Sequence, residues 1–161
     1  MVAPQLIEKL MRVIDEVGAL QSKLVLLIGS PNSGKTALLH SLAKNKAVTP
    51  LNVGAELGGR LASMPQRQRH LKTTTILREL ADQHAPRDLL LVDNIELLFD
   101  RSLQLDPLDL LRRHAHAKRV VAVWPGELQG DARTGRLTYA EMGHPEYQDY
   151  SLAGVVPFEI Q

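Results

Sequence analysis

An α/β fold with a mainly parallel central sheet between helical layers is what this sequence predicts, on three observations. Short apolar runs alternate with helical patterns from Leu24 onward, as in a parallel sheet covered on both faces. One run, Leu24-Val25-Leu26-Leu27-Ile28, leads straight into Gly29-Ser30-Pro31-Asn32-Ser33-Gly34-Lys35-Thr36, which fits the Gly-x4-Gly-Lys-[Ser/Thr] phosphate loop without a mismatch. Another, Leu89-Leu90-Leu91-Val92, is continuously apolar, as a fully buried parallel strand is, and closes on Asp93. Together they specify a P-loop three-layer sandwich.

The elements follow in order. Pro4 suits a first helical turn. Leu6, Leu10, Val13, Val17 and Leu20 recur at steps of three and four, so residues 1–22 form a leading amphipathic helix ending near Gly18. The first strand is Leu24 to Ile28. The helix after the phosphate loop buries Leu38, Leu39 and Leu42. A short strand is expected around Pro50 to Val53 and a helix from Glu56 to Ser63. Pro65 to Lys72 is polar and basic, with Arg67, Arg69, His70 and Lys72. It reads as a solvated loop, with a phosphate- or DNA-contacting loop as the sharper alternative. A helix from about Thr73 to Gln83 turns Ile76, Leu77 and Leu80 inward, and Pro86 bars its continuation.

After the Asp93 strand, Asp106-Pro107-Leu108-Asp109 opens a helix. Asp106 is the N-cap, Pro107 the first helical residue, and Asp109 can reach back to the cap. Leu105 and Leu110 occupy the hydrophobic-staple positions, and Leu108, Leu111 and Ala115 share the inward face. Arg119 to Trp124 is the next strand, stopped by Pro125-Gly126. A last core strand is expected around Arg136 to Ala140, and another at Val155 to Ile160. All of this reads as one domain over residues 1–161, with a core from 23 to 161.

With 161 residues, one core of ordinary size is expected. A formal net charge of +1 does not by itself require a nucleic-acid or membrane partner. The absence of cysteine excludes a disulfide framework and thiolate metal sites, and suits the cytoplasm. No apolar run approaches the roughly 20 residues that span a bilayer. Glu8, Lys9, Arg12, Asp15 and Glu16 stand where a signal peptide needs its apolar stretch.

The chemistry is legible residue by residue. Gly29 and Gly34 permit the backbone angles that turn the N–H groups of Gly29, Ser30, Pro31, Asn32, Ser33 and Gly34 (the proline excepted) around phosphate oxygens. The helix opening at Lys35, Thr36 and Ala37 adds the positive end of its dipole. Lys35 is placed to reach the β- and γ-phosphates of ATP, and Thr36 to put its hydroxyl on Mg²⁺. Asp93, at the end of a neighbouring parallel strand, is the second metal-side group, direct or through water. Asn94 can orient a water but cannot accept its proton, so Glu96 is the nearest general base. If Val92 to Glu96 stays extended, Asn94 and Glu96 share a face; alternatively Glu96 only caps a turn. Arg133 and Arg136, beside Gly130 and Gly135, and Arg101, Arg112 and Arg113 are the arginines available to neutralise transferred charge. His114 and His116 point about 200° apart on a helix and cannot share an ion.

This order of elements resembles the AAA+ and related ATPases, an AAA+/RecA-like core without their helical lid domain. Many such ATPases carry a glutamate where Asn94 stands and a polar sensor residue where Trp124-Pro125-Gly126 stands. More narrowly, the chain resembles the BrxF family, small P-loop proteins of BREX (bacteriophage exclusion) defence systems. The resemblance rests on Gly29 to Thr36, Asn52-Val53-Gly54 with Glu56-Leu57, Leu91 to Glu96 with Leu98-Phe99-Asp100, and Asp106-Pro107-Leu108. Trp124-Pro125-Gly126-Glu127, Leu137-Thr138-Tyr139-Ala140 and His144-Pro145-Glu146-Tyr147 complete it. It implies a cytoplasmic Mg-dependent ATPase that works with other BREX proteins, and with DNA directly or through the complex. It leaves a homo-oligomer open.

Two other functions fit the residues. A small nucleotide kinase is also P-loop based but needs more lid arginines than Arg133 and Arg136. An ATP-bound assembly switch with little intrinsic hydrolysis is favoured by Asn94.

Overall fold

The computed structural model describes residues 3–19, 23–30, 32–85, 87–130, 135–139 and 148–160. It opens with α1 (Pro4–Val17), β1 (Leu24–Ile28), α2 (Lys35–Lys46), β2 (Leu51–Asn52), α3 (Val53–Ala62) and α4 (Gln66–His84). Then come β3 (Leu89–Asp93), two 3-10 turns (Ile95–Phe99 and Arg101–Leu103), α5 (Pro107–Ala117) and β4 (Arg119–Val123). The chain closes with β5 (Glu127–Gln129), β6 (Arg136–Tyr139), β7 (Gln148–Ser151) and β8 (Val155–Glu159).

Five strands form the main sheet in the order β2-β3-β4-β1-β8, and every neighbouring pair is parallel. Strict alternation splits each buried strand between two cores. Leu24, Leu26 and Ile28 of β1 join α3, α4 and α5 on one face, while Val25 and Leu27 join α1 and α2 on the other. Leu90 and Val92, against Leu89 and Leu91, divide β3 in the same way. This is the predicted three-layer P-loop sandwich.

Several local expectations change. The strand carrying Asp93 is not beside the P-loop strand, because β4 lies between them. Residues 66–72 are the first turns of α4, not a loop. Arg69 Nε donates to the Met64 carbonyl at 3.3 Å, which ties that helix start to the turn before it. The helix expected from Glu56 begins at Val53, capped by Asn52, whose Oδ1 accepts from the Ala55 N–H at 3.0 Å. Asp106 caps α5 through the Asp109 N–H at 3.1 Å, but Asp109 does not reach back. Its carboxylate pairs with Arg113 at 2.7 Å, one turn on.

The 136–139 strand does not extend the main sheet. It is the middle of a second, antiparallel sheet, β5-β6-β7, between β4 and β8. An aromatic cluster holds the two sheets together. Trp124 packs edge-on to Phe99 at 5.4 Å and to Tyr150 at 5.5 Å, and Phe99 stacks on Tyr139 at 3.8 Å. Fully buried Trp124 satisfies its indole by donating Nε1–H to the Thr138 carbonyl at 3.1 Å. A Cβ on Gly126 would fall 1.6 Å from that same carbonyl oxygen, so only glycine permits the approach.

Candidate functional site

The phosphate loop sits at the carboxyl end of β1, where open parallel sheets place their ligand crevice. Its turn uses two positive φ angles, 66° at Asn32 and 95° at Gly34, a conformation asparagine and glycine tolerate best. Gly29 is held by close approach instead: a Cβ there would lie 2.5 Å from Ser33 Oγ and 2.9 Å from the Ile160 carbonyl. Ser33 Oγ is buried with no hydrogen-bond partner. Gly34 accepts the first helical bond of α2 from Leu38, which leaves the N–H groups of Lys35, Thr36 and Ala37 at the helix start. Ser30, Thr36 and Ala37 are exposed, and Pro31 lies outside the described residues.

The structure brings Thr36 and Asp93 together although their strands are not adjacent. Thr36 Oγ1 lies 3.4 Å from Asp93 Oδ1, which also accepts the Asn94 N–H at 2.8 Å. Asp93 is only 3% exposed, and among the described residues its Oδ2 has no donor. An unsatisfied buried carboxylate oxygen is costly, and a hydrated divalent cation is a group that removes that cost. The hydroxyl and carboxylate therefore fit Mg²⁺, which uses few protein ligands and keeps several waters. Among the described residues no group of three His, Asp or Glu side chains could hold an ion, including His114 and His116.

Lys35 reaches over the loop. Its Nζ donates to the Gly29 carbonyl at 3.0 Å and to the Trp124 carbonyl at 3.0 Å. Burial lowers its pKa below the usual lysine value, and the negative charges of Glu96 and Asp93 oppose that shift. Glu96 is thus within electrostatic reach of Lys35, and of the two alternatives the chain takes the turn, not the extended route. Asn94 turns left-handed, with φ of 54°, and the chain enters the 3-10 turn Ile95–Phe99. Asn94 and Glu96 are both exposed beside the site. The Asn94 carbonyl accepts the Gly54 N–H at 3.0 Å, which anchors this turn to the start of α3.

Sequence reasoning missed the pocket wall and the Trp124 carbonyl. An open cavity of about 280 Å³ beside Gly29 and Ser30 is lined by Glu127 and Leu128 of β5 and by Glu159 and Ile160. A backbone acceptor leaves no trace in residue type, and Glu127 and Glu159 meet only through non-local pairing.

Arg112 and Arg113 are committed elsewhere. Arg112 donates to the carbonyls of Ala153, at 2.8 Å, and Ser151. Arg113 pairs with Asp109, and Arg101 and Arg136 each have an interaction of their own. Arg133 lies outside the described residues. At the basic end of α5, Lys118 pairs with Asp82 at 3.1 Å and Arg119 with Asp88 at 3.1 Å. Both cations are thus paired with carboxylates of this chain.

A parallel α/β sandwich with a P-loop on β1 and a buried aspartate two strands away defines the class, a P-loop nucleotide-binding domain. Residues 25–123, more than half of the 161, match the model of the ATPase family associated with various cellular activities (AAA). The chain belongs to that family, which implies ATP binding. No curated protein matches the chain at a significant level. Among the described residues, no helix is long and apolar enough to cross a membrane.

Proposed function

We propose that this protein is a Mg-dependent ATPase whose turnover is slow or partner-assisted. The observation that carries this reading is the Thr36 hydroxyl 3.4 Å from Asp93 Oδ1, with the buried Oδ2 left without a donor. The loop from Gly29 to Ala37 and the Lys35 ammonium bind the phosphates, and Thr36 and Asp93 hold the metal. Bound Mg²⁺ supplies charge neutralisation at the phosphoryl oxygens. Lys35 gives Nζ–H to the phosphate side, where charge is greatest during transfer. Glu96 takes the proton of the attacking water, and Asn94 shapes the turn that presents it. Glu127 and Glu159 disfavour phosphate in their cavity and leave it to the hydrogen-bond donors of the base or ribose.

The wider setting is inferred from the resemblance to BrxF: a component of a BREX-type phage-defence complex, with other BREX proteins as partners. DNA is met directly or through them. An ATP-bound assembly switch is the second reading, favoured by the exposed Glu96 and by Asn94 in place of a carboxylate. Phosphate release from Mg-ATP is the test, run beside Lys35→Ala and with EDTA. Metal-dependent release lost in Lys35→Ala supports hydrolysis. Tight Mg-ATP binding with no release, alone or with DNA, moves the protein to the switch. No binding at all rejects both.

A further inference from the structure

We propose that Trp124 is a positioning residue for Lys35, through which the β5-β6-β7 sheet acts as a lever on the phosphate site. This rests on the nucleotide reading above. An ammonium has three N–H donors. Lys35 commits two of them, to the Gly29 carbonyl within its own loop and to the Trp124 carbonyl just past β4. The third reaches a phosphate while both tethers hold, so the place of the Trp124 carbonyl sets where Nζ sits.

That carbonyl is fixed from two directions. Within the main sheet, the Trp124 N–H donates to Leu27 at 2.9 Å. Through its side chain, Trp124 is pinned to the second sheet by the 3.1 Å bond from Nε1 to the Thr138 carbonyl. The ring also packs against Phe99, in the turn that follows Asp93. A shift of β6 therefore moves the indole, the Trp124 carbonyl and Nζ together. Packed cores move between discrete arrangements and do not yield smoothly, so such a shift is transmitted. A second observation points the same way: Glu127 and Leu128 of β5 wall the cavity beside Gly29 and Ser30. The lever lies outside the family match, which ends at residue 123.

The test uses the protein's one tryptophan. Mg-ATP is titrated into the full chain by calorimetry and by Trp124 emission, and amide exchange of β6 is followed with and without Mg-ATP. The expected result is an emission change that saturates with the calorimetric binding curve and altered exchange in β6. Trp124→Phe keeps the carbonyl and an aromatic ring but loses the indole N–H. Thr138→Val removes a hydroxyl that donates to the Glu127 carbonyl, far from Lys35 in sequence and without touching the loop. Each variant is expected to bind Mg-ATP about ten-fold more weakly while circular dichroism stays native. Either variant suffices if the other does not fold. Wild-type binding with silent emission, unchanged β6 exchange and full affinity in the folded variants overturns the lever and leaves the nucleotide reading intact. Wild-type protein that binds no Mg-ATP overturns the nucleotide reading, and the lever with it.

Discussion

Thr36 Oγ1 and Asp93 Oδ1 lie 3.4 Å apart although β4 separates the strands that lead to them. Helix α2 makes this possible: it lies against both β4 and β3, and its Leu38, Leu39 and Leu42 share one core with Leu89 and Leu91 of β3. Asp93 is buried at 3% exposure with one oxygen unpartnered, so it costs the metal-free fold about 1–3 kcal/mol.

Asp93→Asn separates that cost from the chemistry. The amide is neutral, so the metal-free variant is expected to be as stable as the wild type or more so. Its Mg-dependent turnover should fall by about 100-fold or more, since the variant loses a ligand charge. Urea melts without metal, set beside phosphate release with Mg²⁺, check both halves. An Asn variant that is clearly less stable without metal contradicts the account.

Glu96 stands or falls on a different comparison. Glu96→Gln keeps the shape of the turn and loses the base, so turnover should drop by about 100-fold with nucleotide affinity nearly kept. Asn94 has a backbone role, with φ of 54°. Asn94→Gly tolerates that angle and should leave turnover near wild type, whereas Asn94→Val should destabilise the fold by about 1–3 kcal/mol. Steady-state kinetics and melts on the three variants decide it. Full activity in Glu96→Gln removes that residue from the mechanism.

These roles were unequally visible in the sequence. Leu24 to Ile28, Leu89 to Asp93 and the Asp106-Pro107 helix start are local signals: burial on both faces, or a cap followed by proline. They appear in the structure almost residue for residue. The first turns of α4 were not legible, because nothing between Gln66 and Lys72 is buried and periodicity needs a buried face. Leu71, 68% exposed, carries no inward signal either. The second sheet was hidden for another reason. Its strands are only three or four residues long, and its place against the main sheet depends on tertiary contacts such as the Trp124 indole on Thr138. Glu96 depended on one angle at Asn94, which decides between an extended chain and a 3-10 turn.

Gly126→Ala tests the close approach of the turn after β4 to β6. A methyl group 1.6 Å from the Thr138 carbonyl oxygen cannot be accommodated unless backbone moves. The expected loss is roughly 3 kcal/mol of stability, at the high end for overpacking. Gly59→Ala is the control, since a Cβ there meets nothing within 4 Å. That substitution should stabilise α3 by about 0.5–1 kcal/mol through helix propensity. Thermal or urea melts of the pair measure the contrast, and a Gly126→Ala protein as stable as wild type refutes the packing described.

His114 supplies a pH dependence with a fixed sign. Burial lowers its pKa below the ordinary 6.5, the charges of Lys118 and Arg78 lower it further, and Asp82 opposes them. Between α4 and α5 these groups line one groove with Arg113. The folded protein therefore binds a proton at His114 less readily than the unfolded chain does. Above 6.5 both states are neutral there and nothing is lost. As pH falls below 6.5 the unfolded chain takes the proton first, and stability declines until the pH passes the lowered folded value. His114→Gln cannot titrate, so its urea midpoint should fall less than that of the wild type between pH 7 and pH 5. The groove is partly open to solvent, so the difference is modest. Parallel pH profiles for the two proteins would show that His114 is not held neutral by this environment.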